Sequence, residues 1–113
     1  MWNNRGSALA NLGRHTEALT SFDRAIVINP NDADVWNNRG ISLYELGKYT
    51  ESVASYDKAI AINPKNIEAW CNRGVALAAC GQDSEAGASF DTALVIKPDD
   101  EVVRNNREIA LQK

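Results

Sequence analysis

The chain has 113 residues, 44% of them hydrophobic and 24% charged, with a net charge of −3. That length supports one domain with a real core, and the mild acidity speaks against a nucleic-acid partner or an anionic membrane surface. The sequence holds no run of 18 apolar residues and no basic-then-apolar leader, so no segment reads as membrane-spanning or as an export signal.

Reading from the N-terminus, "WNNRG" at 2–6 returns at 36–40, as "WCNRG" at 70–74, and in the altered form "RNNRE" at 104–108, each 34 residues after the last. Other columns keep the same period. They are Leu9, Leu43, Leu77; Gly13, Gly47, Gly81; Ala18, Ser52, Ala86; Phe22, Tyr56, Phe90; Ala25, Ala59, Ala93; and Pro30, Pro64, Pro98. A fixed period of this size identifies a stacked-repeat architecture.

The first segment, near 2–13, carries Trp2, Gly6 and Leu9 on one face and ends at Gly13. It has no N-cap before Trp2, and Met1, Ala8 and Leu12 would face a preceding repeat that is missing, so this edge reads as a cut one. A second helix, near 16–29, opens with Thr16 and stops at Pro30. The third, near 33–46, opens with Asp32 as N-cap, places Trp36, Gly40 and Leu43 at i, i+4, i+7, and stops at Gly47. The fourth, near 50–62, opens with Thr50, carries Val53, Tyr56 and Ile60 on a face, and is ended by Pro64. Helices near 67–80 and 84–96 repeat this with Asn66 and Ser84 in the cap columns. Gly87 stands where Leu19 and Val53 stand elsewhere, at a cost of about 1 kcal/mol of helix propensity plus lost packing.

The last helix, near 101–112, begins after Asp100. Arg104 and Glu108 replace the Trp and Gly with a solvated pair, while Val103, Arg107 and Ala110 keep the opposite face matched to the repeat behind. It reads as a polar cap that ends the array. Strand signals are absent. The fold class is all-α, with helix-turn-helix repeats at 1–32, 33–66 and 67–100 and a capping helix at 101–113. Gly40 is expected to face Ser52 at close approach, with Trp36 and Tyr56 filling the space on either side; these aromatics read as core.

No catalytic constellation emerges, and the chain reads as a non-enzyme. His15 falls in the turn after Gly13 as a surface residue. Glu17, Glu51 and Glu85 recur in first helical turns, where they favour the helix dipole. Cys71 and Cys80 on one helix would lie about 13 Å apart, too far for a disulfide. Together with a lone His they offer no zinc site, and no cofactor is expected. Free thiols fit a reducing, cytoplasmic setting. Cys80 shares a column with Leu12 and Leu46 and reads as buried between repeats.

Two polar columns stand out. Arg5, Arg39, Arg73 and Arg107 recur alongside Asp23, Asp57 and Asp91. The expectation is a structural ladder joining Arg39 to Asp23, Arg73 to Asp57 and Arg107 to Asp91; pairing within a repeat, or a basic ladder for an anionic ligand, are the alternatives. Asn4, Asn38, Asn72 and Asn106 form a row of amides able to pair with an extended peptide's backbone or, alternatively, to satisfy local backbone groups.

The pattern Trp-x2-x-Gly-x2-Leu, then Ala-x3-Phe, then Pro, resembles the tetratricopeptide repeat, including long bacterial and cyanobacterial arrays. The Arg column departs from it, since the family usually has Leu there. The resemblance implies a right-handed α-solenoid whose first helices line a concave groove for a peptide or partner protein. Groove positions would be Asn3, Ser7, Ala10 and Asn11; Asn37, Ile41, Tyr44 and Glu45; and Cys71, Val75, Ala78 and Ala79, with Asp34 and Glu68 one turn earlier. Asn4, Asn38 and Asn72 adjoin this stripe, and Cys71 would point into it as a reactive thiol. Some members clamp a C-terminal carboxylate, with Asn4 and Asn38 in the matching asparagine column. The basic clamp columns hold Asn3, Ile41 and Val75 instead, which argues against such a clamp. The functional expectation is a binding module for a protein or extended peptide segment. The alternative is a structural or assembly module, self-associating as a homo-oligomer through the uncapped N-terminal edge or forming part of a longer array.

Overall fold

The helical periodicity resolves into α1 (Trp2–Asn11), α2 (His15–Ile28), α3 (Ala33–Glu45), α4 (Tyr49–Ile62), α5 (Ile67–Ala79), α6 (Asp83–Ile96) and α7 (Glu101–Leu111). The structure, a computed structural model, describes residues 2–111, and no strand occurs among them. Met1, one of the residues expected on the N-terminal edge, and positions 112 and 113 of the expected capping helix lie outside the described residues.

Each α-hairpin turns on a left-handed glycine. Gly13, Gly47 and Gly81 have φ of 79°, 78° and 82°. In the second repeat the Gly47 N–H donates to the Tyr44 carbonyl and the Lys48 N–H to the Leu43 carbonyl, both at 2.9 Å. That is the Schellman pattern, and it favours glycine because a Cβ would strain the left-handed backbone. Lys48 then serves at once as the residue beyond one helix and the N-cap of the next, its carbonyl accepting from Ser52 N–H at 2.9 Å. The helix therefore starts at Tyr49, one residue before the expected Thr50, and the same shift applies to Thr16 and Ser84. Arg14, Lys48 and Gln82 make no side-chain cap bond. The turn is too short to leave a residue free for that role. Between repeats the expected caps do form: Asp32 accepts from Asp34 N–H at 3.0 Å, Asn66 from Ala69 N–H and Asp100 from Val103 N–H at 3.1 Å.

The core runs along the stack. Phe22, Tyr56 and Phe90 of the second helices are 0%, 2% and 0% exposed. Each ring lies directly against the glycine of its partner helix. A Cβ on Gly6, Gly40 or Gly74 would sit 2.5–2.6 Å from a ring carbon of Phe22, Tyr56 or Phe90. Ser52 faces Gly40 as expected, donating its hydroxyl to the Gly40 carbonyl at 2.7 Å, but Tyr56 lies on the glycine rather than to one side of it. The column of Leu12, Leu46 and Cys80 is also corrected. It falls at or next to the end of each first helix, where the chain turns into solvent, leaving Leu12 72% exposed, Leu46 38% exposed and Cys80 half-buried. His15 opens α2 half-buried rather than lying in a surface turn, with Nδ1 3.3 Å from Ser42 Oγ of the next repeat.

Successive repeats are joined by the arginine column in its between-repeat form. Arg39 Nε donates to Asp23 at 2.7 Å, Arg73 to Asp57 at 2.6 Å and Arg107 to Asp91 at 2.8 Å. The indole N–H groups of Trp36 and Trp70 donate to the carbonyls of Pro30 and Pro64 at 2.8 Å, fastening each first helix to the turn before it. In α7 Val103 and Ala110 are buried against the third repeat, and Arg104 and Glu108 face solvent.

Gly87 has open space where a side chain would project, and sits inside α6. Gly87→Ala is expected to stabilise the fold by about 1 kcal/mol through backbone propensity alone. Thermal unfolding followed by circular dichroism checks this; an unchanged or lowered midpoint would contradict it.

Candidate functional site

The first helices α1, α3, α5 and α7 touch one another in sequence, whereas α2, α4 and α6 do not meet among the described residues. A stack whose odd helices are in contact and whose even helices are splayed curves with the odd ones on its inner side. The face these helices present is therefore the concave one.

Along that face the amides form a ladder. Asn38 Nδ2 donates to Asn3 Oδ1 at 3.3 Å, Asn72 Nδ2 to Asn37 Oδ1 at 3.3 Å, and Asn106 Nδ2 to Cys71 Sγ at 3.3 Å. Asn38 also lies 3.5 Å from Ser7 Oγ, and Asn37 Nδ2 donates to Glu68 Oε1 at 2.9 Å. Each repeat thus bonds to the one before through side chains one position apart in the two units. Beside pairing with a peptide or satisfying local backbone groups, the column thus has a further role: part of each amide's hydrogen-bonding capacity joins successive repeats. Asn4 is exposed.

Asn37 and Cys71 are buried, at 4% and 5% exposure. They form the floor of the face rather than its accessible lining. Burial pushes the Cys71 thiol up; the Asn106 hydrogen bond opposes that, and Asp100 and Glu68 add to it. The expectation of a reactive groove thiol is therefore corrected, because nucleophilic attack needs an exposed thiolate.

The accessible residues gather into two depressions. One of about 220 Å³ is lined by Tyr44, Val75, Ala78, Ala79, Phe90, Asn106, Ile109 and Ala110. A smaller one of about 120 Å³ is lined by Ser7, Ala10, Asn11, Phe22, Asn38 and Ile41. Tyr44 leans on Tyr49, ring centroids 5.1 Å apart, and so walls the larger cleft. Its phenol is raised by burial first, then by Tyr49 and Glu45. Ile109 is 63% exposed at the cleft's rim. It shares the column of Ser7, Ile41 and Val75, so the repeat period already carried the signal, but reading the last helix as a cap hid it. Phe90 is fully buried in the core beneath the same cleft.

A separate depression of about 470 Å³ lies at the N-terminal edge, lined by Trp2, Thr20, Asp23, Arg24, Val27 and Ile28. There the guanidiniums of Arg24 and Arg5 lie 5.0 and 5.5 Å from the Trp2 ring centroid. Val27 and Ile28 are 84% and 70% exposed. Among the described residues no group of three or more His, Cys, Asp or Glu could hold a metal ion, and no helix is long and apolar enough to cross a membrane.

A model of the TPR repeat matches residues 6–47 and 42–81, and one of the tetratricopeptide repeat matches residues 67–100. The chain belongs to the tetratricopeptide repeat family. Solved structures superpose along nearly its whole length. The second TPR domain of human RPAP3 in complex with the HSP70 peptide SGPTIEEVD is 23% identical, with a TM-score of 0.95 over 99% of this chain and 93% of that one. The first TPR of Spaghetti (RPAP3) bound to the HSP90 peptide SRMEEVD is 21% identical, with a TM-score of 0.94 over 98% of this chain and 88% of that one. The Arabidopsis OM64 TPR domain is 25% identical, with a TM-score of 0.93 over 98% and 92%. No curated protein matches the sequence.

Proposed function

We propose that the chain is a non-enzymatic interaction module that holds a peptide or partner protein against the face formed by α1, α3, α5 and α7. The observation that carries this is the open apolar cleft between Tyr44, Val75 and Ile109 on the inner side of the stack. A preformed concave surface with apolar walls and a few fixed polar groups is what peptide and ligand sites have in common. The two RPAP3 domains, which share this architecture, are described with chaperone peptides bound.

Contacts would come from the accessible positions Asn3, Asn4, Ser7, Asn38, Ile41, Tyr44, Glu45, Asn72 and Val75. Asn37 and Cys71 would act from beneath, by holding the amide ladder in place. A cytoplasmic setting belongs to the same reading, supported by the two free thiols.

A photo-crosslinking residue in place of Val75, used in native lysate, is expected to capture partner protein, while the same residue in place of the outward-facing Ala54 captures little. Adducts from position 54 alone would move the partner to the outer layer. A second reading, self-association or array assembly, is favoured by the Trp2 edge with its exposed Val27 and Ile28. Light scattering over a concentration series decides it, since a concentration-independent monomer removes self-docking.

A further inference from the structure

We infer that the groove selects a partner segment that is extended, positively charged and carries a bulky apolar side chain for the Tyr44–Val75–Ile109 cleft. This rests on the groove reading above and adds the chemistry of the occupant.

The apolar requirement comes from the cleft itself. It is lined by Tyr44, Val75, Ala78 and Ile109 with the buried Phe90 beneath, and its polar side-chain groups are the Asn106 amide and the Tyr44 phenol. One Asn106 N–H is engaged by Cys71 Sγ and most of the remaining lining is apolar, so dispersion and area burial dominate the reward to an occupant. A side chain of Leu or Phe size fits a volume of about 220 Å³.

The charge requirement comes from what surrounds it. The repeated arginines that might have turned inward are held outward: Arg39, Arg73 and Arg107 are each tied to an aspartate of a second helix. Arg14 and Lys48 sit in the hairpin turns, and Lys65 and Lys97 in the turns between repeats. Among the described residues no inner-face position of α1, α3, α5 or α7 carries a cation; Lys113, which continues the column of Asn11, Glu45 and Ala79, lies outside them. Carboxylates do stand there. Glu68 is fixed on α5 by its bond from Asn37, at 2.9 Å, and Glu45 is exposed and follows Tyr44 in the chain. An acidic segment would meet repulsion along this path, and a basic one attraction. Individually exposed pairs are weak, so a few of them together support a preference of roughly ten-fold at low salt.

The test uses the whole chain and two fluorescein-labelled nonapeptides, one alternating Lys with Leu and one alternating Glu with Leu, read by fluorescence anisotropy. The Lys–Leu peptide is expected to bind roughly ten-fold more tightly at low salt. The preference should shrink in the Glu45→Gln/Glu68→Gln variant and in high salt. Ile109→Lys, at an exposed site where folding is not at stake, should weaken binding far more than Ala54→Lys, which makes the same charge change on α4.

Equal affinities, or preference for the Glu–Leu peptide, with binding still sensitive to Ile109→Lys, would overturn the charge selection and leave the groove reading intact. Binding that Ile109→Lys and Ala54→Lys weaken alike would overturn both, as would no binding of either peptide. Self-association abolished by Ile109→Lys would give the cleft to a second copy and overturn the inference.

Discussion

Phe90→Ala is expected to lower the stability of the domain by about 3–5 kcal/mol, measured by urea denaturation. The ring is fully buried, and it fills the gap between α5 and α6 at the one place where α5 offers no side chain, Gly74. A loss of this size is a large fraction of what holds a small domain folded. Gly74→Ala should also be harmful, by about 1–3 kcal/mol, because its Cβ would lie 2.6 Å from the nearest ring carbon and force the helices apart. The decisive result is the double variant. Without the ring the new methyl meets open space, and alanine is the better helix former by about 1 kcal/mol. Gly74→Ala should therefore change sign, destabilising the wild type and stabilising Phe90→Ala. Equal penalties in both backgrounds would mean that the ring is not what the glycine makes room for.

The period of 34 residues made the helix count, the helix pairing and the aromatic core legible, because each column repeats one structural demand three times. The arginine ladder was legible for the same reason: Arg and Asp recur in step, and folding each pair about its turn brings them level. What escaped was set by geometry finer than a column. Thr50 carries an ordinary N-cap signal, yet the left-handed Gly47 closes the turn so early that Lys48 takes the position. Burial was misjudged where a column meets a helix end: Leu46 and Cys80 are C-caps, half a turn beyond the packed face. The partners of the amide row lie one position apart in adjacent repeats, as with Asn72 and Asn37, so a single column does not reveal them. Cys71 sits in that same seam, so an interruption of the asparagine column was mistaken for an exposed thiol. The inner cleft depends on Ile109, whose column was visible but whose helix looked like a mere cap.

Arg73→Ala is expected to cost about 1.5–3 kcal/mol, the range for a hydrogen bond to a charged group, and Arg107→Ala less than about 1 kcal/mol. The two residues occupy one column and both pair with an aspartate, so a plain count of ion pairs would rank them equal. Their surroundings separate them. Arg73 Nε donates to Asp57 of α4 at 2.6 Å while Nη1 donates to Ser89 Oγ of α6 at 2.5 Å, and its side chain is 22% exposed. It ties three helices together, and its loss leaves a buried serine hydroxyl without that donor. Arg107, 39% exposed, bonds Asp91 and, among the described residues, no serine. Arg73→Lys should recover little of the loss, since a single ammonium lacks the planar fork that reaches both partners. Chemical denaturation of the three variants at neutral pH distinguishes these cases. Equal losses for Arg73→Ala and Arg107→Ala would show that the serine contact contributes nothing. The consequence extends to the groove, because α5 carries Val75 and this guanidinium is one of the groups that tie it to α4 and α6. A stability loss at Arg73 should therefore be accompanied by weaker peptide capture, although Arg73 itself lines neither inner-face depression.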